Sequence, residues 1–296
     1  MSLLKDLKDR DSYEILIVSN CAKGLMEHIA PFFKGLRWIM AIGTGVENLL
    51  KCPSLKNNDQ ITLTNLKSVS GVLLAEFALL AILYFFKKIP LFQDSFQNKI
   101  VFSQRVASSP ERKKVLIVGI GSIGREVALK CKMALNMEVW GVKRNLSNSE
   151  HLKDLVEGLF SLDQLDNKIS EFDVVVAVLP FLTSKIFTKN TFSKMKKGAV
   201  FINLGRGSYV DESALIEALL QNHLLGAGLD VLDNEPIQES NLVYDHRLKH
   251  KLLYTYHVMD GSINIDEKTR VLVKENILNF LNGKDLVRKV NKKFGY

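Results

Sequence analysis

Cysteine, proline and long apolar runs are all scarce in this chain, and each scarcity excludes something. The three cysteines, Cys21, Cys52 and Cys131, are odd in number and far apart. They offer neither a disulfide framework nor paired metal-ligand spacing, so no metal is expected and a reducing, cytoplasmic compartment is. Six prolines with 47% hydrophobic and 24% charged residues describe a globular chain, not a disordered one. The start, with Lys5, Asp6, Lys8, Asp9 and Arg10, has no apolar core of a secretory signal. The most apolar stretch, residues 72–86, is interrupted by Glu76 and shorter than the roughly 20 residues of a bilayer span. It reads as a helix buried between domains, and no membrane partner is expected. The net charge of +8 is spread along the chain, without basic–aromatic alternation or a recognition-helix signature. The expectation is a basic surface that mildly attracts anionic ligands, with no nucleic-acid partner.

At 296 residues the chain has room for two domains. Short apolar runs at 13–19, 36–41 and 61–64 read as strands. Between the last two lies the turn Gly43-Thr44-Gly45-Val46, leading into a helix. The helix 72–86 follows, then a polar stretch, 93–112, with the character of a linker. A second unit begins at Lys114. Strands are expected at 115–118, 138–142, 173–179, 199–204, 226–231 and 252–256, with helices between them, including 123–134 and 212–221. Strands alternating with helices imply a parallel sheet with right-handed crossovers, hence an α/β doubly wound fold of Rossmann type. The last periodic segment, 267–281, has no strand after it and is expected to return to the first unit. The domains are therefore drawn as 1–88 with 269–296, and 89–268.

Gly119-Ile120-Gly121-Ser122-Ile123-Gly124 matches G-x-G-x-x-G, a weak pattern by itself. Here it directly follows the strand V-L-I-V and opens the helix R-E-V-A-L-K-C, the context that the motif requires. Gly119 permits the tight turn, Gly121 lets backbone approach a pyrophosphate, and Gly124 lets helix and strand pack closely. The helix N-terminus offers its amides, beginning at Ser122 and Ile123, to the phosphates. The next strand ends in Lys143-Arg144-Asn145, where an NAD enzyme usually carries a carboxylate for the ribose hydroxyls. A guanidinium can bind a 2′-phosphate in bidentate fashion, so NADP(H) is favoured, with NAD(H) open and ordinary exposed basic residues as the bland alternative.

Three segments carry candidate chemistry: Asn203-Leu204-Gly205-Arg206-Gly207, the run from Leu229-Asp230 to Glu235-Pro236, and Thr255-Tyr256-His257. Each follows a strand, where ligands bind in open α/β sheets. Reducing a 2-keto acid needs a cation for its carboxylate and a donor at its carbonyl, which Arg206 can supply. The developing alkoxide needs a proton donor that titrates near neutrality, which His257 can be. Glu235 on the other ring nitrogen would fix the tautomer and favour imidazolium. Spacing alone leaves His257 open between this role and that of an ordinary histidine. His28, His151, His223, His246 and His250 read as surface or structural.

With these residues the chain resembles the D-isomer-specific 2-hydroxyacid dehydrogenases, particularly the glyoxylate/hydroxypyruvate reductase-like members, over residues 13–296. The resemblance rests on G-I-G-S-I-G, on F-S-K-M-K-K-G-A-V-F-I-N-L-G-R-G-S-Y-V-D-E-S-A-L from 192 to 215, on G-A-G-L-D-V-L-D-N-E-P from 226 to 236, and on the histidine after Thr255-Tyr256. The gaps of 29 residues from Arg206 to Glu235 and 22 from Glu235 to His257 match the family's spacing. The resemblance implies that Arg206 binds substrate and that His257, assisted by Glu235, is the acid/base. It further implies that Asp230 meets the nicotinamide carboxamide, that Leu179, Pro180 and Thr183 line the cofactor, and that backbone at Thr44 and Gly45 holds the substrate carboxylate. A cleft between two domains and a homodimer follow from the same likeness, as does a smaller, flavodoxin-like α/β domain. That domain looks trimmed, because the family usually has a further strand and helix before residue 13. Tyr256 replaces the family's usual proline, and Phe77 stands where histidine is common. Related formate dehydrogenases have glutamine at the position of Glu235, which argues for hydroxy-acid chemistry. The alternative is a non-catalytic, nucleotide-sensing or corepressor-like protein on this fold, and the Arg206, Glu235 and His257 set argues against it.

Overall fold

Short apolar strands whose successive side chains enter opposite cores build the first of two units, Met1–Ser70 with Ser262–Tyr296. The computed structural model describes residues 10–19, 33–101, 103–147, 149–181, 184–261 and 265–295; Cys21, His28 and Thr183 lie outside the described residues. Strands β1 (Ile15–Ser19), β2 (Trp38–Ile42) and β3 (Thr62–Thr64) form a parallel sheet in the order β1-β2-β3. Ile39, Ala41 and Leu63 bury against one side with Leu49 and Leu55, from the short helices α1 (Glu47–Leu50) and α2 (Pro53–Lys56). Trp38 and Met40 bury on the other side, where the Trp38 ring stacks on Phe280 at 5.6 Å. Trp38 Nε1 donates to Thr64 Oγ1 at 2.9 Å, so the buried indole keeps a partner.

The second unit is Gly71–Gly261. It opens with α3 (Gly71–Phe86) and α4 (Ile89–Gln97), followed by β4 (Lys114–Val118), α5 (Ser122–Leu135), β5 (Glu138–Val142) and β6 (Gly158–Phe160). Then come α6 (Leu165–Lys168), β7 (Val174–Ala177), α7 (Lys189–Lys194), β8 (Val200–Asn203), α8 (Glu212–Leu220), β9 (Gly226–Leu229) and β10 (Leu252–Tyr254). All seven strands pair in parallel, in the order β10-β9-β8-β7-β4-β5-β6. The chain runs outward from β4 to β6 and then outward again from β7 to β10. The switch in direction lies between β4 and β7, where doubly wound sheets bind ligands at the carboxyl ends of the strands. The strands are buried on both faces. One core holds Phe172, Phe187, Phe192, Phe201 and Tyr209, and the other is roofed by α3 through Ala78, Ala81, Ile82 and Phe85. Gly228 on β9 leaves the room that Ala81 occupies.

The chain returns to the first unit in α9 (Ile265–Leu281). There the buried Asn276 side chain bonds both the amide and, at 3.1 Å, the carbonyl of Val287.

Two expectations need correction. Helix α3 packs within the second unit, so the first unit ends at Ser70 and not at residue 88. The stretch read as linker from residue 93 begins inside α4, whose Pro90 sits in the first turn, where its missing N–H costs nothing. Strand β6 was not foreseen, because G-L-F is too short to show a period. Among the described residues no helix is long and apolar enough to cross a membrane.

Candidate active site

The sheet's parallel register delivers the second unit's candidate residues to the same ends of successive strands. After β4 the chain turns at Gly119, with φ of +107°, and a Cβ there would stand 2.6 Å from the Val178 carbonyl oxygen. A Cβ on Gly124 would run into the carbonyl oxygen of Gly119, so the α5 helix can press on the turn only with glycine there. No atom lies within 4 Å of the Cβ position at Gly121, the N-cap of α5. The leading amides at Ser122, Ile123 and Gly124 therefore face no capping side chain, beside open space. That is the cradle a dinucleotide pyrophosphate requires, and the residues fit it.

After β5, the Lys143 amide donates to Phe160 O at 3.1 Å and its Nζ to Ser149 Oγ at 3.3 Å. Arg144 is exposed beside it. Asn145 is engaged locally: its Oδ1 accepts from the Ser147 amide at 2.9 Å and hydroxyl at 2.7 Å, a turn that shapes the loop. Leu179 and Pro180 follow β7, half-buried. Thr44 and Gly45 belong to the first unit, where Asn65 Nδ2 donates to Thr44 O at 2.7 Å.

After β8, Arg206 projects from a tightly clamped turn. Asn203 Nδ2 donates to Arg206 O at 2.8 Å, and Asn203 Oδ1 accepts from the Gly205 amide at 3.1 Å. The Tyr209 hydroxyl donates to the same Oδ1 at 2.7 Å while accepting from the Arg206 amide at 3.1 Å. Tyr209 is fully buried, and burial pushes its pKa well up, so it stays a neutral donor. A Cβ on Gly207 would collide with the Leu232 carbonyl and the Asp233 amide. The glycine thus lets the Arg206 turn lie directly on the loop that carries Glu235.

Glu235 is held in turn, its Oε1 accepting from the Leu232 amide at 2.8 Å. Its Oε2 meets His257 Nδ1 at 2.6 Å, with side chains 25% and 35% exposed. The His257 amide donates to Asp230 O at 2.7 Å, and buried Asp230 accepts through Oδ1 from Thr255 Oγ1 at 2.7 Å and the Met259 amide at 3.2 Å. The hydrogen bond to Glu235 raises the His257 pKa above its ordinary value, against desolvation and the nearby Arg206 guanidinium. Burial raises that of Asp230. Arginine, carboxylate and imidazole are therefore within electrostatic reach of one another at the ends of β8, β9 and β10. Such an arrangement can bind an anion, polarise a carbonyl and deliver a proton.

Residues 79–258 match the family described as D-isomer specific 2-hydroxyacid dehydrogenase, NAD binding domain. The chain belongs to that dehydrogenase family. This D-isomer-specific 2-hydroxyacid dehydrogenase family member is 38% identical over 177 residues to the probable 2-ketogluconate reductase of Dictyostelium discoideum, covering 58% of this chain and 50% of that protein. It is 39% identical over 128 residues to glyoxylate/hydroxypyruvate reductase B of Enterobacter sp. (strain 638), covering 42% and 38%. The chain spans about half the length, or less, of the curated relatives it matches. The D-isomer specific 2-hydroxyacid dehydrogenase of Xanthobacter autotrophicus Py2, solved with NADPH and MES, superposes with a TM-score of 0.81 at 25% identity. That likeness covers 98% of this chain and 87% of the other.

Sequence reasoning gave no role to Asn203, Tyr209 or Asn65. A tyrosine inside N-L-G-R-G-S-Y-V reads as one more apolar residue, and only the fold shows that its hydroxyl faces the Arg206 turn.

The raised His257 pKa has a pH signature. The imidazolium–Glu235 pair stabilises the folded chain fully below the unfolded histidine pKa of about 6.5, and this contribution is lost as pH rises through the higher folded value. Glu235→Gln keeps the Leu232 contact but removes the charge. Urea unfolding at pH 6 and pH 9 should show parent and variant further apart at pH 6. An equal gap at both pH values would contradict the pairing.

Proposed function

We propose that this chain reduces small 2-keto acids of the glyoxylate/hydroxypyruvate kind to 2-hydroxy acids, with NADPH favoured over NADH. The observation that carries the reading is the 2.6 Å contact of Glu235 on His257 Nδ1, beside Arg206. The names of the Dictyostelium and Enterobacter relatives point to a 2-keto acid substrate. Lys143 and Arg144 after β5, and the NADPH in the Xanthobacter structure, support the cofactor preference.

When bound, the reduced nicotinamide supplies the hydride. The amides at the start of α5, with Gly119, Gly121 and Gly124, hold the pyrophosphate, while Leu179 and Pro180 line the cofactor and Asp230 orients its carboxamide. Arg206 binds the substrate carboxylate and polarises the keto oxygen. His257 has Nδ1 committed to Glu235, which leaves Nε2–H for the developing alkoxide. The proton passes from Nε2 to the substrate oxygen, and the imidazole is left neutral on Glu235.

The compartment consistent with this reading is the cytoplasm, where the buried free thiols of Cys52 and Cys131 stay reduced. The assembly is a homodimer. Supporting it, Ile89, Phe92 and Phe96 fall on one face of α4 and continue into Ile100 and Val101, with Phe96 86% and Val101 93% exposed. A second copy of the chain would cover this row.

The decisive assay follows NADPH and NADH oxidation in parallel with glyoxylate, hydroxypyruvate and longer 2-keto acids. Turnover with NADPH is expected, and His257→Ala should cut kcat/KM by about 10²–10⁴-fold while leaving cofactor binding intact. Cofactor binding without turnover on any acid would be the behaviour of a nucleotide sensor and would sink the enzyme reading. For the assembly, light scattering should give a dimer for the parent and a monomer for Phe96→Glu; a monomeric parent contradicts it.

A further inference from the structure

Two consecutive residues at the candidate acid/base are left-handed: Tyr256 has φ of +54° and His257 of +57°. Neither is glycine, and a residue with a Cβ is strained in this conformation. Strain of this kind persists only where surrounding contacts over-determine it. Backbone contacts hold both sides of the pair. The Thr255 amide donates to Leu229 O at 3.1 Å, and the His257 amide to Asp230 O at 2.7 Å. Nothing in those bonds involves the Tyr256 side chain.

That side chain has a partner of its own. The Tyr256 ring lies 4.6 Å from the Tyr254 ring, tilted by 52°. Tyr254 is packed against the phenylalanine-rich core of the second unit, so it is a fixed post. Burial, with the Glu235 charge close by, pushes the Tyr254 hydroxyl up to about 12. The two rings thus pack together on the segment that presents His257 to Glu235.

We infer that Tyr256 is a positioning residue: its ring, packed against Tyr254, holds the left-handed Tyr256–His257 pair so that the imidazole stays on Glu235. This deepens the proposed reductase function and rests on it for its catalytic consequence. The geometric claim stands without it. A tyrosine ring can do this because two torsions place a large flat surface, and aromatic pairs attract one another beyond their buried area. The charged groups acting on the imidazole are Glu235, Arg206 and Asp230, and Glu235 meets its Nδ1 at 2.6 Å.

The test is an NMR pH titration of the His257 imidazole in the full chain, for the parent, Tyr256→Ala and Tyr256→Phe. Because Tyr256 is 59% exposed, losing its side chain opens no core. The parent should titrate above ordinary histidine. Tyr256→Ala should fall back toward the ordinary value, and Tyr256→Phe, which keeps the ring contact, should stay close to the parent. In turnover assays above neutral pH, Tyr256→Ala should lose roughly tenfold in kcat/KM, because less of the imidazole carries its proton. A Tyr256→Ala midpoint equal to the parent's overturns the inference, as does a Tyr256→Phe midpoint as low as that of Tyr256→Ala. Midpoints that move as stated in a parent that reduces no 2-keto acid would uphold the clamp and refute the reductase reading alone.

Discussion

An ordinary imidazole, with a pKa of about 6.5, is mostly neutral at pH 7, and burial favours the neutral form further. What changes that here is one carboxylate. Glu235 reaches His257 Nδ1 at 2.6 Å, fixes which ring nitrogen is occupied, and holds the ring in its charged form against burial and against Arg206. The contact is not local in sequence. It depends on β9 and β10 running side by side in parallel register, Leu229 opposite Tyr254, so that the loops after them leave from the same edge. It also depends on Gly207, which lets the Arg206 turn lie against the backbone at Leu232 and Asp233. Fold, turn and charge pair are successive consequences of one sheet.

The same sheet brings the glycine turn and the charge pair to the same edge. Strands β4 and β7 flank the reversal of strand order, and the phosphate turn leaves β4 while Leu179 and Pro180 leave β7. Gly119 packs against the Val178 carbonyl, so the wall after β7 and the cradle after β4 are one continuous surface. The Tyr209 hydroxyl extends that surface by joining the turn after β8 to the backbone of Leu179. A buried polar hub of this type is stabilising only when its members are satisfied, and Tyr209, Asn203 and Arg206 satisfy one another.

Much of this was legible in the amino-acid sequence, because glycine spacing and strand–helix alternation are local signals. G-I-G-S-I-G between a four-residue apolar strand and an amphipathic helix left little freedom for β4 and α5, and the strands from β7 to β10 appear within one or two residues of their expected positions. The segments that escaped did so for physical reasons. Helix α4 has a proline in its first turn, a residue that marks a helix start as readily as an end. Strand β6 is three residues long and acquires its conformation only by pairing with β5. The roles of Tyr209 and Tyr256 depend on where a hydroxyl and a ring point in three dimensions, which no spacing encodes.

The claim on which the account rests is that the charge of Glu235 sets the proton affinity of the acid, and the pH dependence of kcat/KM for keto-acid reduction measures it most directly. For the parent, kcat/KM should be level at low pH and fall as pH rises through the raised His257 pKa. In Glu235→Gln the same fall should begin at lower pH. A profile that Glu235→Gln leaves in place would mean that this carboxylate does not govern the proton, and the assignment of His257 as the acid would fail with it.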